Sequence, residues 1–335
     1  MSPLPRRKAG VKPTALGTRG RPARRSRPGA KSKTLRPARR SRPGAKSKTL
    51  WTLLFLAPPI ALFAAVVVVP TVTAFRLSFT DAHLLEGGTS WVGLDNFFEA
   101  FQDEHARKSI RITLQWTLFG TVIPPALGLA FAVLLQNSSR FAAAMKSALF
   151  VPVAISLVVI AQVWIWIYQP DDGLLNWLLG LVGLERWENA WLADRSTALY
   201  AVFAAWAWQQ TVLAMILFLA GLSTIPPEYL EAARVDGANK LQVLWRIVIP
   251  LLRPVTTVVL SLIAINSLRN FDLVYAMTKG GPVRETETMP VLVYRTLFRL
   301  HEQGEASAIS IILFAMTLAI VGGFMWWGRR GTYAE

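Results

Sequence analysis

Six apolar segments, each close to the length that crosses a lipid bilayer, constrain the fold of this chain more than any other feature. A membrane-spanning helix needs about 20 consecutive, mostly apolar residues. The segments are approximately 53–75, 110–135, 142–167, 198–219, 255–267 with an extension to 277, and 308–327. Backbone groups in lipid must be hydrogen-bonded internally, and the alternation typical of a membrane barrel is absent from the sequence. The sequence therefore predicts an all-α membrane protein with six transmembrane helices.

The net charge of +16 comes from one end of the chain. Residues 1–50 contain seventeen Lys or Arg and no Asp or Glu, which leaves 19 basic and 20 acidic residues in the other 285. The body is therefore nearly neutral, and its 53% hydrophobic composition lies above that of ordinary soluble proteins. We predict two parts, a polybasic tail over 1–50 and a transmembrane domain over 51–335. The basic charge does not indicate a nucleic-acid partner.

The tail contains a perfect tandem repeat, in which residues 21–35 recur unchanged at 36–50. A segment rich in Pro, Gly, Ser and Arg has little apolar surface to bury, which predicts disorder. It can contact anionic lipid, at about 1 kcal/mol per basic residue near the surface, or serve only as a topology anchor. The anchor is the simpler interpretation. The following apolar run shows no convincing cleavage site of a signal peptide.

The sequence contains no motif for catalysis or metal binding. There is no cysteine, and the three histidines, His83, His105 and His301, fit no metal-ligand spacing. The phosphate-binding loop, the serine-hydrolase elbow and the zinc-protease motif are all absent from it. We therefore expect a protein that is not an enzyme and needs no cofactor or metal.

Basic residues also predict the orientation of the spans. The tail, Arg140 with Lys146, and Arg329 with Arg330 fall on one side, together with the basic segment around 234–253. Acidic residues concentrate in the two loops around 78–108 and 169–194 on the other side. The positive-inside rule then places both termini in the cytoplasm of a cell with an inner membrane.

A polar segment between the fourth and fifth apolar runs shows a helix–glycine–helix pattern. Pro226 and Pro227 fit the opening of a helix over 228–236, and Gly237 fits a left-handed stop. A second helix over 240–248 would end at Pro250. The sequence alone is also compatible with an ordinary helical hairpin between spans.

This segment resembles the cytoplasmic signature of ABC importer permeases. The family pattern is Glu-Ala-Ala, three residues, Gly, nine residues, Ile, one residue, Leu-Pro; here Ile249 replaces the Leu. In the family this segment docks into the ATPase subunit. The resemblance therefore implies an ATPase-coupling surface formed by Glu231, Ala232, Ala233, Asp236, Gly237, Ala238 and Pro250.

Further segments resemble the carbohydrate-uptake branch of these permeases, and together the resemblance covers about residues 51–328. They include Trp91-Val-Gly-Leu-Asp-Asn-Phe97 and the stretch from Asn270 to Pro282. The resemblance implies a type I ABC importer permease fold and import of an oligosaccharide or a glycerol-phosphate type solute. It implies four kinds of partner: a second permease subunit, two cytoplasmic ATP-binding subunits, an extracytoplasmic solute-binding protein and the lipid bilayer.

Polar side chains in the fourth and fifth spans are candidates for the solute path, because the other spans offer little that could hydrogen-bond a sugar. They are Gln210, Thr211, Asn266, Ser267, Asn270 and Asp272, with Gln209 beside them. Related sugar permeases line their cavity near Thr211 and Ser267. Each residue could instead join helix to helix, at about 0.6–2 kcal/mol. Arg269 and Asp272 should pair, face a wet cavity or snorkel to the interface.

The cluster Gly280-Gly281-Pro282 should break the fifth helix and begin an external loop. The resemblance implies that this loop faces the binding protein, and a plain turn is the other interpretation. Two further functions stay open: import of a non-carbohydrate solute by the same kind of permease, and a secondary transporter. Secondary transporters usually carry paired repeats and intramembrane acids, whereas here the clear repeat lies in the tail.

Overall fold

Helices and the turns between them form the described part of this computed structural model, which comprises residues 45–85, 89–136 and 139–329. No β-strand occurs within these ranges, and two isolated bridges join Thr80 to Trp91 and His83 to Glu302. The predicted disorder of residues 1–44 and the predicted anchor residue Arg330 lie outside the described part. The first helix begins at Ala45, so the prediction of disorder through residue 50 is wrong for 45–50, which form the start of the helix that continues into the first apolar run.

The helices follow one another along the chain with few long connections. In order they are α1 (Ala45–Phe63), α2 (Val69–Leu77), α3 (Asp95–Gln102), α4 (Glu104–Leu135), α5 (Arg140–Ala154), α6 (Leu157–Ile167), α7 (Leu174–Leu181), α8 (Ala198–Leu222), α9 (Pro227–Val235), α10 (Lys240–Val243), α11 (Ile249–Leu251), α12 (Arg253–Leu268), α13 (Asp272–Thr278), α14 (Met289–Arg295) and α15 (Gln303–Arg329). Wider π turns at Ala64–Val68, Leu244–Val248 and Thr296–Leu300 and a 3₁₀ turn at Glu185–Trp187 join some of them.

Four helical segments in the described part are long and apolar enough to cross a membrane, and two bent pairs bring the number to six if each pair is one span. The four are Leu53–Leu77, Glu104–Leu135, Ala198–Leu222 and Gln303–Arg329. The pairs are α5 with α6, bent by 107°, and Lys240–Leu251 with α12, bent by 72°. The prediction of an all-α fold with up to six spans is confirmed, but the third and fifth spans are not single helices.

The third span breaks at Ile155, which has an extended backbone. Pro152 lies in the last turn of α5, and Ser156 starts α6 by accepting a hydrogen bond from the Val159 N–H at 3.5 Å. A proline near a helix end combined with a serine N-cap favours a stop and restart. The sequence prediction treated 142–167 as continuous, since apolar periodicity alone does not report this break.

The prediction that Pro250 ends the second helix of the polar segment is wrong. The helix passes through Pro250 to Leu251, after the π turn Leu244–Val248. A wider turn displaces the carbonyl that a proline ring would otherwise meet one turn earlier. Pro70 follows the π turn Ala64–Val68 in the same way. The actual bend comes at Leu252, and the predicted extension of the fifth span is a separate helix, α13.

Helix α8 forms the centre of the bundle within residues 59–335. Other parts of the chain bury 61% of its apolar window, against 33% for α4 and 11% for α15. It packs closely against α4, where a Cβ on Gly128 would come within 2.8 Å of the Met215 backbone nitrogen. Small residues allow such close helix contacts in membranes. The buried ring of Trp116 meets Trp206 and Phe203 in this interface.

Candidate functional site

The coupling segment, defined as residues 226–252, takes its shape from local hydrogen bonds. Helix α9 ends in a Schellman motif: the Ala238 N–H donates to the Ala233 carbonyl at 2.9 Å and the Gly237 N–H donates to the Arg234 carbonyl at 3.1 Å. Gly237 has φ of +76°, and a Cβ there would meet no atom within 4 Å. The requirement for glycine is therefore conformational, as the sequence predicted.

A capping box starts the next helix. Asn239 Oδ1 accepts from the Gln242 N–H, and Gln242 Oε1 accepts from the Asn239 N–H, both at 2.8 Å. The sequence analysis did not identify this box, although its signal, Asn followed three residues later by Gln, is present. Together with the Schellman motif it sets the angle between α9 and α10 through hydrogen bonds within the segment.

The coupling segment exposes apolar side chains to an unusual degree for a polar segment. Val235 is 87% exposed, and Leu241, Trp245 and Tyr229 are each more than half exposed. Glu231, Ala232 and Asp236 are exposed as well, whereas Ala233 is 7% exposed and packs inside this chain. Ala233 therefore offers no direct contact to another protein in this conformation, and the exposed members of the predicted surface surround it.

Four of the six polar candidates of the solute path fall into two groups. The first is a hydrogen-bonded chain between helices: Asn266 Nδ2 donates to Gln210 Oε1 at 3.0 Å, and Gln210 Nε2 donates to Gln209 Oε1 at 3.5 Å. Gln209 Nε2 also donates to the carbonyls of Pro152 and Ile155 at 3.1 and 3.3 Å. Both carbonyls lie at the break in the third span, where, among the described residues, the Pro152 carbonyl otherwise accepts only from the Ile155 N–H at 3.4 Å, so Gln209 stabilises that break.

The second group is buried without such links. The Ser267 hydroxyl and both polar atoms of the Asn270 amide are buried and have no hydrogen-bond partner among the described residues. A Cβ on Gly120 would clash with Ser267 Oγ, so the Ser267 side chain lies against α4. Burying an unpaired polar group costs about 1–3 kcal/mol. Ser267 and Asn270 thus keep unused hydrogen-bonding capacity inside the bundle.

The other two candidates differ from these groups. Thr211 is buried in α8, and Asp272 is exposed at the start of α13. Arg269 is also exposed, and within the described residues no ion pair joins it to Asp272. The structure therefore does not show the direct ion pair between Arg269 and Asp272 that the sequence allowed.

Residues 279–288, called the outer loop after their predicted orientation, follow the end of α13 at Thr278. Lys279 takes a left-handed conformation with φ of 53°, Gly280 has φ of +90°, and the Gly281–Pro282 bond is cis. Gly280 is buried and Gly281 and Pro282 are half-buried, while Val283 beyond them is exposed. The loop therefore packs against the rest of the chain, and only part of it is exposed.

Long-range contacts hold the outer loop in place. Lys108 on α4 pairs with Glu285 at 2.8 Å and donates to the Val283 carbonyl at 3.3 Å. Thr113 Oγ1 accepts from the Met289 N–H at 2.9 Å, and Thr288 Oγ1 donates to the Asn270 carbonyl at 3.1 Å. The last contact links the loop directly to one of the solute-path candidates.

Glu287 forms the charged centre beneath this loop. Its side chain is 1% exposed and lies 2.8 Å from Arg295 Nε and 3.6 Å from Arg284 Nε. Burial raises the pKa of the Glu287 carboxyl above its ordinary value, and the two guanidinium groups offset part of that increase. The sequence analysis missed Glu287, Arg295 and Lys108, because contacts over such separations leave no periodic signal.

Comparison with known proteins identifies the family of this chain. Residues 124–326 match the family described as "binding-protein-dependent transport system inner membrane component". A probable ABC transporter permease of Pyrococcus horikoshii is 32% identical over 281 residues, which cover 84% of this chain and 96% of that protein. The trehalose/maltose transport system permease protein of Thermococcus litoralis is 29% identical over 276 residues, covering 82% and 92%.

The chain is also similar to solved structures. One is a bacterial ABC transporter involved in the import of the acidic polysaccharide alginate, with a TM-score of 0.73, 24% identity and coverage of 87% of this chain and 98% of that chain. A second alginate transporter structure, in complex with an alginate pentasaccharide-bound periplasmic protein, has a TM-score of 0.75 at 22% identity, covering 86% and 97%. At these identities the similarity establishes the fold.

Proposed function

The chain belongs to the family of binding-protein-dependent transport system inner membrane components, and from this membership we propose that it translocates a sugar, of oligosaccharide or glycerol-phosphate type. As an ABC importer permease it is a multi-pass membrane protein and not an enzyme. In the proposed assembly it pairs with a second permease, two cytoplasmic ATPases and an extracytoplasmic binding protein. Relatives named for uptake of trehalose or maltose, xylose or arabinose, and diacetylchitobiose support the sugar class.

The exposed surface of the coupling segment is the observation that carries this proposal. The segment is shaped by local hydrogen bonds and leaves Val235, Leu241 and Trp245 exposed. Exposed apolar side chains on a short helix are typical of a helix that binds in a groove of another protein. We propose that Glu231, Ala232 and Asp236 border the contact with the ATPase. Ala233, Gly237, Ala238 and Pro250 would then act by shaping the segment that makes it. This role requires the segment, and with it both termini, to lie in the cytoplasm.

The solute path, in this proposal, includes Ser267 and Asn270. Their hydrogen-bonding groups are unpaired in the described residues, and sugar hydroxyls could satisfy them when the helices separate during alternating access. Gln210 and Asn266 instead join α8 to α12, so the joining role is favoured for them. Thr211 and Asp272 remain members of the proposed path only because of their positions on α8 and α13. The outer loop, with Gly280, Gly281 and Pro282, would face the binding protein.

The proposal can be tested by reconstituting the chain with its partner permease, ATPases and binding protein in proteoliposomes. Ala232→Arg places a long cation at an exposed position of the coupling segment, where it would prevent seating of α9 in a groove. We expect ATP-driven uptake to fall more than tenfold, while the permease still inserts and purifies. Ala232→Ser, which keeps the residue small, is the matched control. Normal uptake by the Arg variant would contradict the docking role.

The solute path needs a separate readout. Ser267→Ala and Asn270→Ala should lower uptake or shift its preference among sugars, with the amount of assembled transporter unchanged. If both variants only lowered the amount of protein in the membrane, these residues would be structural, and the path would have to lie elsewhere.

A further inference from the structure

A cationic pocket of about 390 Å³ lies between α13, the outer loop and the segment that follows it. Its main lining residues are Lys279, Arg284, Arg295, Arg299, Tyr275 and Tyr294. They come from four successive pieces of chain, and the ion pairs of Glu287 link two of these residues, Arg284 and Arg295. The pocket is therefore a cavity lined by several elements of the fold, and none of its lining residues belongs to the coupling segment.

The charges in this pocket do not balance. Glu287 lies beneath it and is bonded to Arg295 and, at longer distance, to Arg284. Glu285, the nearest acid along the chain, is engaged by Lys108 at 2.8 Å. Within the described residues, no carboxylate lies within 4.0 Å of Lys279 or Arg299. Four cations therefore face one bound carboxylate, which leaves the pocket with positive charge for a ligand to neutralise.

Aromatic rings stand beside these cations. The ring centroids of Tyr275 and Tyr294 are 4.9 Å apart, and Phe271 stacks on Tyr275 at 5.0 Å. Guanidinium groups bind carboxylate and phosphate oxygens in a fork, while the tyrosine hydroxyls can exchange hydrogen bonds with sugar hydroxyls. A ligand that carries both an anionic group and several hydroxyls would use the cations and the phenols together. The combination therefore favours a carbohydrate that carries an anionic group.

We infer that this pocket binds the anionic group of an acidic sugar or a sugar- or glycerol-phosphate before the solute enters the bundle. The inference rests on the proposed transport function and names a narrower substrate class for it. The position suits this role, because the same loop reaches Asn270 through the Thr288 hydroxyl. An anion held at the pocket would lie beside the segment that carries the solute-path candidates.

The test uses the full-length chain in nanodiscs of neutral lipid and saturation-transfer NMR, which detects weak binding. The probes are digalacturonate, glycerol 3-phosphate and neutral maltotriose. We expect at least one anionic probe to bind at least tenfold more tightly than maltotriose. Lys279→Gln and Arg299→Gln should each weaken that binding about tenfold. Arg186→Gln, at an exposed position in another external segment, is the matched control and should leave it unchanged.

The probes also separate the possible ligands. Binding of digalacturonate alone identifies a carboxylate ligand, and binding of glycerol 3-phosphate alone identifies a phosphate ligand. The inference is overturned if neither anion binds better than maltotriose, or if the pocket variants bind like the control. It is also overturned if soluble anions fail to bind and the two variants lose only contacts with phosphatidylglycerol added to the nanodisc, or only affinity for the binding protein.

Uptake measurements keep this inference apart from the proposed function. ATP-driven import of a neutral sugar without anion binding would refute the pocket and leave the transport function intact. Anion binding without any ATP-driven import in the assembled system would refute the transport function alone.

Discussion

The coupling segment and the outer loop are two polar segments punctuated by Gly and Pro, one before α12 and the other after α13, yet they are stabilised in different ways. The coupling segment is shaped by its own caps at Gly237 and Asn239 and leaves Val235 87% exposed. The outer loop buries Thr286, Glu287 and Thr288 and is bonded to distant helices. The first is shaped by local hydrogen bonds and keeps an exposed apolar face, although Val248 and Leu252 pack in the core. The second is bonded to the helices around it.

The difference shows that two segments with similar sequence patterns can contribute differently to stability and to contacts with partners. A segment that forms only local bonds can be altered without unfolding the chain, so its variants should affect assembly and transport. A segment bonded through buried charge contributes to stability, so its variants should first affect folding. Stability and transport measured on the same variants therefore distinguish the two cases.

The largest effect on stability is expected from Glu287→Ala. It would leave Arg295 and Arg284 without their buried carboxylate, and removal of one partner of a buried pair costs about 3–5 kcal/mol. Because each of the two arginines is more than a quarter exposed, we expect a value near the lower end, about 3 kcal/mol. Denaturant unfolding of the purified chain in detergent would measure it.

Glu285→Gln is the matched control in the same loop. Its partner Lys108 and Glu285 itself are both partly exposed, and such pairs contribute about 0–1 kcal/mol. Equal unfolding free energies for the Glu287 and Glu285 variants would show that the buried charge does not hold the loop, and the contrast with the coupling segment would fail.

Gly237→Val should have the next largest effect, and it should be local. A β-branched side chain at φ of +76° costs about 1–2 kcal/mol relative to glycine, although no neighbouring atom blocks it. We expect uptake to fall about tenfold with little change in the unfolding of the rest of the chain. Gly237→Asn, which tolerates this conformation better, should keep most of the uptake. A global loss of stability in the Val variant would remove the distinction drawn above.

Much of the fold was predictable from the sequence because it depends on local composition. Apolar length gave the spans, and Gly237 gave the left-handed stop. The break at Ile155 and the passage of a helix through Pro250 were not predictable. Each depends on whether the neighbouring turns can accommodate the proline ring and its missing N–H. The pairing of Lys108 with Glu285 joins residues far apart in the chain, which one sequence does not reveal.

The candidate site divides in the same way. The coupling segment follows from a spaced motif, whereas the roles of Gln209 and Asn266 depend on which helices meet. Only the structure shows that Gln209 satisfies the carbonyls of the broken third span. The burial of Ala233 inside this chain could likewise not be predicted from the motif, because the motif does not indicate which face of α9 points inward.

A smaller effect is expected from Asn266→Ala, in the helix that joins the two segments. The variant removes the hydrogen bond to Gln210, and such bonds between membrane helices average about 0.6 kcal/mol. We expect a small decrease in unfolding free energy and unchanged sugar preference. A change of preference without loss of stability would move Asn266 from the joining group to the solute path.

The smallest effect is expected from deletion of residues 21–35, one copy of the repeat. The remaining copy at 36–50 keeps a strong positive charge on the side that we propose to be cytoplasmic. The positive-inside rule counts charge without requiring a particular sequence. Uptake and the amount of inserted protein should both stay within about twofold of the intact chain, since contact with anionic lipid depends on the number of basic residues near the surface. Replacing the remaining basic residues of 36–50 with Gln in the deleted chain is the complementary variant, and it should reduce correct insertion because charge is then lost. Loss of uptake on deletion alone, in correctly inserted protein, would mean that the tail contacts a specific partner, as the coupling segment is proposed to do.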